Sequence, residues 1–213
     1  MMKKLLYFLG RSVCHQIPER SFFIGGCQMP LCARCTGTYM GIFLGFIYLL
    51  VRKRLRGNKP PNLKILFLMI ICWIPFMIDG ATSYIGLRET NNIIRFITGL
   101  LFGIFIPVFI ILIKNFDFKN KNYIYIIKSY RDLMYMILML FFGVIIIIEL
   151  DIIWWIISII TIFTILYLYI QIFNIIIRKF ISKINRKTSY IIAFIITMII
   201  LSSLSMVNKI ILQ

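Results

Sequence analysis

Charge is what this sequence has least of. Only 15% of its 213 residues are charged, against about 25% in a soluble globular domain. Acids are scarcest, with 7 Asp and Glu against 24 Lys and Arg. Together with 61% hydrophobic residues and a mean hydropathy of +0.95, this excludes a disordered chain and argues strongly against a water-soluble globule. The apolar runs lack alternating polarity, which excludes a transmembrane β-barrel. No small-residue cleavage site follows the short run Leu5–Leu9, so residues 1–13 read as an amphipathic segment at the membrane interface rather than a signal peptide. His15 is the only histidine, so a histidine-based metal site is excluded. No internal repeat is evident, which counts against a transporter built from repeated halves.

What is present is a series of apolar runs, at 36–51, 63–78, 93–113, 133–148, 152–177 and 190–207. Lipid offers no partner for free backbone groups, so runs of this length must be helices. The pattern predicts an all-α fold: a polytopic transmembrane helical bundle of about six spans. Residues 36–213 form one membrane domain, and residues 1–35 a short N-terminal interfacial segment rich in cysteine. The spans at 36–51, 63–78 and 133–148 are short and must borrow flanking residues, whereas 152–177 is long enough to tilt. Glu149-Leu150-Asp151 interrupts one apolar stretch, which predicts a tight hairpin there.

The formal charge of +17 would point to nucleic acid in a soluble protein. Here the basic residues gather in three short loops, Arg52–Lys64, Lys114–Arg131 and Arg178–Lys187. Such loops stay cytoplasmic. Membrane orientation therefore accounts for the charge, the bilayer is the expected partner, and no nucleic acid is needed. The same rule predicts a multi-pass protein of the cell membrane with both termini extracytoplasmic. It gathers residues 14–35, Asp79–Arg95 and the Glu149/Asp151 turn on one side, as a shared outer vestibule.

The first candidate site lies in residues 14–35. Cys14, His15, Cys27, Cys32 and Cys35 hold four of the five cysteines and the lone histidine. The Cys32-x-x-Cys35 spacing suits tetrahedral zinc, because two thiolates so placed can share one ion; a second pair would come from Cys14, His15 and Cys27. The alternatives are structural disulfides or a redox pair. Cys72, inside the second run, reads as a buried apolar filler.

The second candidate site comprises Asp79, Arg88, Glu89, Asn92 and Arg95. Arg88, Asn92, Arg95 and Gly99 step by four, three and four, which predicts one helix face. Arg88, Asn92 and Arg95 would bind an anion, with Asp79 or Glu89 as acid/base. The alternative is a closed salt-bridge network pairing Arg88 and Arg95 with Asp79 and Glu89. Gly37, Gly41 and Gly45 form a small-residue stripe for close helix packing. Trp154 and Trp155 sit where interfacial aromatics belong, and Pro75 and Pro107 mark kinks.

The stretches Cys14-His15-Gln16-Ile17-Pro18-Glu19-Arg20-Ser21-Phe22-Phe23 and Leu31-Cys32-Ala33-Arg34-Cys35-Thr36-Gly37 resemble the signature of the DUF2085 family of predicted prokaryotic membrane proteins. Asp79-Gly80, Gly86-Leu87-Arg88 and Arg95-Phe96-Ile97-Thr98-Gly99 are similar to its second motif. The resemblance covers about the first half of the chain. It implies a membrane location and groups these residues, without implying an activity. From the residues, the expected function is an enzyme or binding protein for an anionic lipid-linked or phosphate-bearing molecule. The alternatives are a thiol-disulfide oxidoreductase using Cys32 and Cys35, with Cys14 or Cys27 as a shuttle, and a transporter or accessory subunit.

Overall fold

The computed structural model describes residues 1–145, 151–181 and 184–211. Most of the hairpin expected at 149–151 falls outside them. In chain order the elements are α1 (Met2–Arg11), a 3-10 turn (Pro18–Arg20), β1 (Phe23–Ile24), β2 (Cys27–Gln28), α2 (Ala33–Val51) and α3 (Leu63–Tyr84). They continue with α4 (Asn92–Gly103), α5 (Ile106–Asn115), α6 (Tyr130–Ile145), α7 (Asp151–Phe180) and α8 (Arg186–Ile211). Among the described residues, five stretches are long and apolar enough to cross a membrane: α2, α3, α4 with α5, the Ile153–Phe180 part of α7, and α8. α6 is described over 16 residues, and the fourth apolar run continues past its described end. The architecture is an all-α membrane bundle, with one two-stranded hairpin pairing Phe23 with Gln28 and Ile24 with Cys27.

Local chemistry sets the helix ends. α3 runs past the expected Ile78 to Tyr84 and then closes on Gly86, whose φ of +77° suits only glycine without strain. The Leu87 N–H then returns to the Thr82 carbonyl at 3.1 Å, a Schellman closure. α4 starts where the Asn91 side chain accepts the Ile93 N–H at 3.1 Å. The third apolar run is two helices, because the chain turns at Ile104–Phe105 just ahead of Pro107. Proline has no N–H to continue the ladder, and it is accepted in the first turn of α5. Pro75, by contrast, lies within the continuous helix α3.

The seam between α2 and α4 is built from glycine on both sides. A Cβ on Gly37, Gly41 or Gly45 would collide with the carbonyls of Phe96, Leu100 and Ile104 respectively. Reciprocally, Gly99 and Gly103 of α4 lie against the Arg34 and Thr38 carbonyls of α2. Without side chains the backbones close to van der Waals contact, which is how helices gain packing energy in lipid. The outward faces of α3 and α8 remain apolar and exposed, at Phe67, Met77 and Ile199 among others. Exposed apolar surface on that scale suits acyl chains, not water.

The bundle has two chemically different ends. At one, Asp132 at the start of α6 accepts from the Tyr48 hydroxyl at 2.9 Å and from Arg52 at 3.1 Å. There Asn115 also donates to the Leu55 and Gly57 carbonyls, and Lys114 to the Tyr190 hydroxyl, so the basic loops share this end. At the other, α1 packs on α8: the Ser205 hydroxyl donates to the Phe8 carbonyl at 2.6 Å, and Asn208 to the Arg11 carbonyl at 2.8 Å. Leu6, Leu9 and Cys14 share one apolar core with Phe96, Trp154 and Leu201. The N-terminal segment is thus packed into the bundle as well as amphipathic. Cys72 is half-buried against the core of the basic end rather than buried in it.

Candidate functional site

The cysteine end is assembled by a short, heavily hydrogen-bonded chain path. After Cys14 the chain reverses at Gln16, which adopts a left-handed φ of 54°. Such a conformation costs about 1 kcal/mol or more for a non-glycine residue, and the surroundings must hold it. Gln16 is held by its own amide, which donates to the Tyr7 and Pro30 carbonyls, each at 2.8 Å. Gln28 in turn donates to the Gln16 carbonyl at 2.8 Å. Tyr7 and Trp154 both donate to the Gln28 carbonyl, fastening the hairpin to α1 and α7. These bonds deliver Cys14 to the N-terminus of α2, where the Cys32 N–H donates to the Cys14 sulfur at 3.1 Å.

The Sγ atoms of Cys14, Cys32 and Cys35 lie within 4.8 Å of one another. Tetrahedral zinc with Zn–S bonds of about 2.3 Å separates its sulfurs by roughly 3.8 Å, so small rotations of these side chains would accommodate the ion. Thiolates are soft donors, which suits zinc over magnesium or calcium. The Cys32 thiol is held far below its usual range, first by the thiol hydrogen bond from Cys14 and next by that from Cys35. Cys14 is pushed up to about 12, foremost because it donates to Cys32.

Two expected ligands stand apart from this group. His15 is exposed and is not among the residues whose ligand atoms come together. Cys27 follows the hairpin to α1, where the Lys3 ammonium donates to its sulfur at 3.2 Å. The hairpin register carries Cys27 away, since its cross-strand partner is Ile24.

Beside the thiols lies a charged cluster. The Arg34 guanidinium, between the two knuckle cysteines, donates to the Asp79 carboxylate through both Nε and Nη2, and also to the Asp79 carbonyl. Asp79 is 4% exposed, and its Oδ1 is buried with no hydrogen-bond partner among the described residues. Arg95 is 8% exposed. It donates to Thr90 Oγ1 at 3.1 Å, Asn92 Oδ1 at 3.3 Å and Ser83 Oγ at 3.4 Å, all neutral oxygens. Arg95 takes part in no ion pair among the described residues. Arg20 and Arg34 act on it as like charges, and Asp79 and Cys32 as opposite ones.

The structure departs from the expected helix face at its first member. Arg88 lies in the loop before α4, and both Arg88 and Glu89 are exposed. The Gly86 turn and the Asn91 cap start the helix four residues too late for Arg88 to join it. The expected network of Arg88 and Arg95 with Asp79 and Glu89 is therefore not formed; Arg34 takes Asp79. Asn92 is on the helix, and its amide donates to the Glu19 and Ser21 carbonyls at 3.3 and 3.2 Å. It ties α4 to the turn carrying Arg20, as does the edge-on contact of Phe22 with Phe96. Arg34, Gln16 and Arg20 were the residues missed. All three stand inside the cysteine-rich stretches, where the cysteines drew the assignment.

The residues so assembled belong to both motif regions. A family described as "Predicted membrane protein (DUF2085)" matches residues 14–109. An uncharacterized protein of Methanocaldococcus jannaschii is 45% identical over 118 residues, covering 55% of this chain and 73% of that relative. This chain belongs to the DUF2085 family. A second relative, an uncharacterized protein of Methanothermobacter thermautotrophicus, is 40% identical over 105 residues, covering 49% of this chain and 90% of its own. No solved structure matches the chain. The DUF2085 match spans the thiol group, Arg34, Asp79 and Arg95, and ends within α5.

Proposed function

We propose that this DUF2085 protein binds, and acts on, a phosphate-bearing anionic molecule linked to a lipid, at the cysteine end of the bundle. Zinc would be held beside the charged cluster by Cys14, Cys32 and Cys35. The observation that carries this reading is Arg95, a buried guanidinium whose hydrogen bonds all go to neutral acceptors and which is in no ion pair among the described residues. A cluster built only to pin helices would balance its charges. Here Arg34 engages Asp79, and Arg95 is left without an ion-pair partner of its own among the described residues, a place that a phosphate would fill. Asp79 Oδ1, buried and without a partner, is the oxygen that could hold or accept a proton. Arg88 and Glu89 sit at the exposed rim, and Asn92 positions Arg95 and the Arg20 turn. When bound, zinc would supply either a cross-link between the N-terminal segment and α2 or, at a fourth position, a Lewis acid. The gathering of basic loops at the other end supports an extracytoplasmic cysteine end, with both termini outside.

Purified protein in detergent is expected to carry one zinc per chain by elemental analysis. The metal should be lost in Cys35→Ser and kept in Cys27→Ser and His15→Ala. Farnesyl phosphate is expected to bind, farnesol is not, and Arg95→Met should weaken binding by about tenfold or more. Equal binding of the alcohol and the phosphate would sink the anion reading.

A second reading is supported by Cys32 at the N-cap of α2 with Cys35 one turn on: thiol-disulfide exchange with a disulfide-bearing partner. Zinc-free protein whose Cys32–Cys35 bond forms and is reduced by dithiols would favour it.

A further inference from the structure

A groove of about 650 Å³ opens at the basic end of the bundle, between α5 and α7. Lys114, Arg178 and Lys179 line it, with Leu112, Phe116 and Ile175 as apolar walls. Its size falls within the range of small-molecule sites, roughly 300–1,000 Å³. None of the three cations is in an ion pair among the described residues. Lys114 is half-buried and gives two of its donors to neutral partners, Gln171 Oε1 at 2.9 Å and the Tyr190 hydroxyl at 3.0 Å. An ammonium has three N–H bonds, so one is left to give. Asp117, the acid nearest Lys114 in sequence, is consumed by its own loop. It accepts from the Lys119 and Asn120 N–H groups at 2.8 and 3.3 Å and from the Asn120 side chain at 2.7 Å. The groove is left with surplus positive charge beside an apolar wall.

That combination specifies the ligand chemistry. A free anion has no use for the wall, and a neutral lipid has none for the cations. Ile113 and Phe118 are strongly exposed at the groove, where an acyl chain would cover them. Basic pockets between membrane helices take anionic lipid headgroups in this way. We propose that the groove between α5 and α7 binds the headgroup phosphate of an anionic phospholipid from the adjoining leaflet, with an acyl chain along Leu112 and Ile175. It lies at the opposite end from the thiol group and does not depend on the function proposed above.

The test offers the full chain in non-ionic detergent equal amounts of phosphatidylglycerol and phosphatidylcholine, and reads retained lipid by native mass spectrometry. Phosphatidylglycerol should be retained preferentially. Arg178→Gln/Lys179→Gln should weaken retention by about fivefold per charge removed. Both side chains are exposed, so the melting midpoint of this variant should match the parent's. Lys119→Gln/Lys121→Gln, which removes exposed charge that does not line the groove, should leave retention unchanged. Equal retention of the two lipids would overturn the proposal, as would equal loss from the Lys119/Lys121 variant. Displacement of the lipid by excess inorganic phosphate would also overturn it, in favour of a free-anion site.

Discussion

At Asp79 one carboxylate oxygen takes the Arg34 guanidinium while the other is buried with no partner among the described residues. Deleting one member of a buried pair strands the other, at a cost of about 3 kcal/mol or more, whereas replacing both with apolar groups is close to neutral. Arg34 is 23% exposed, so water recovers part of that cost on its side. Arg34→Met and Asp79→Leu are each expected to destabilise the protein by about 2–3 kcal/mol, and the double variant to recover more than half. Thermal unfolding in detergent reads this directly, and simple addition of the two losses would show that the pair is uncoupled. Residue by residue, the sequence carried part of this site. The Cys32-x-x-Cys35 spacing is local and was legible. The choice among Cys14, His15 and Cys27 was not, because it depends on a left-handed Gln16 and on bonds from Gln16 and Gln28 to distant elements. The role of Arg34 was not legible either, because Asp79 reaches it only through the packing of α3, 45 residues on.

Helices α2 and α4 meet with backbone against backbone, so their seam has no room for growth. Gly41→Val or Gly103→Leu would force the helices apart, moving Arg34 relative to Arg95 and costing more than about 4 kcal/mol. Loss of the monodisperse folded peak in size-exclusion chromatography is the expected result. Gly80→Ala is the contrasting case: nothing lies within 4 Å of its Cβ position. It should be tolerated or stabilise by up to about 1 kcal/mol through helix propensity. At the other end, Asp132 anchors the start of α6 just ahead of the apolar stretch. Burial would raise its carboxyl, but the Lys128 N–H, the Tyr48 hydroxyl, the Ser129 N–H and Arg52 outweigh burial and hold it below the usual range. The stabilisation is therefore present above the ordinary carboxylate value, near 3.9, and is lost as pH falls through the lower folded value. Parent protein should lose stability below about pH 4, and Asp132→Asn should flatten that acid limb. An unchanged limb would mean that other acids set it. The helices were largely legible from apolar length alone. Arg88 was misplaced because a four-three-four spacing was extended through Gly86 and Asn91, two residues that punctuate helices.

Across the whole molecule the charge is sorted by end. The segments Arg52–Lys64, Lys114–Arg131 and Arg178–Lys187, each a loop with its flanking helix ends, carry 16 of the 24 Lys and Arg, and hydrogen bonds bring these segments to one end of the bundle. The opposite end holds the thiols, Asp79, Arg95 and the exposed 85–91 loop. Translocating a short loop rich in Lys and Arg is costly, so the basic end should remain in the cytoplasm. Epitopes inserted after Gly86 and after Asn120 test the arrangement, because both loops are exposed and neither insertion cuts a helix. In intact cells, antibody should reach the first epitope and reach the second only after permeabilisation. The reversed pattern would keep the bundle but turn the cysteine end into the reducing cytoplasm, where a disulfide cycle at Cys32 and Cys35 loses its oxidising surroundings and a thiolate-bound metal gains by comparison. Exposure of both epitopes on one side would contradict the bundle itself, since a polypeptide that places Arg34 against Asp79 and Arg52 against Asp132 must put the two loops a full membrane thickness apart.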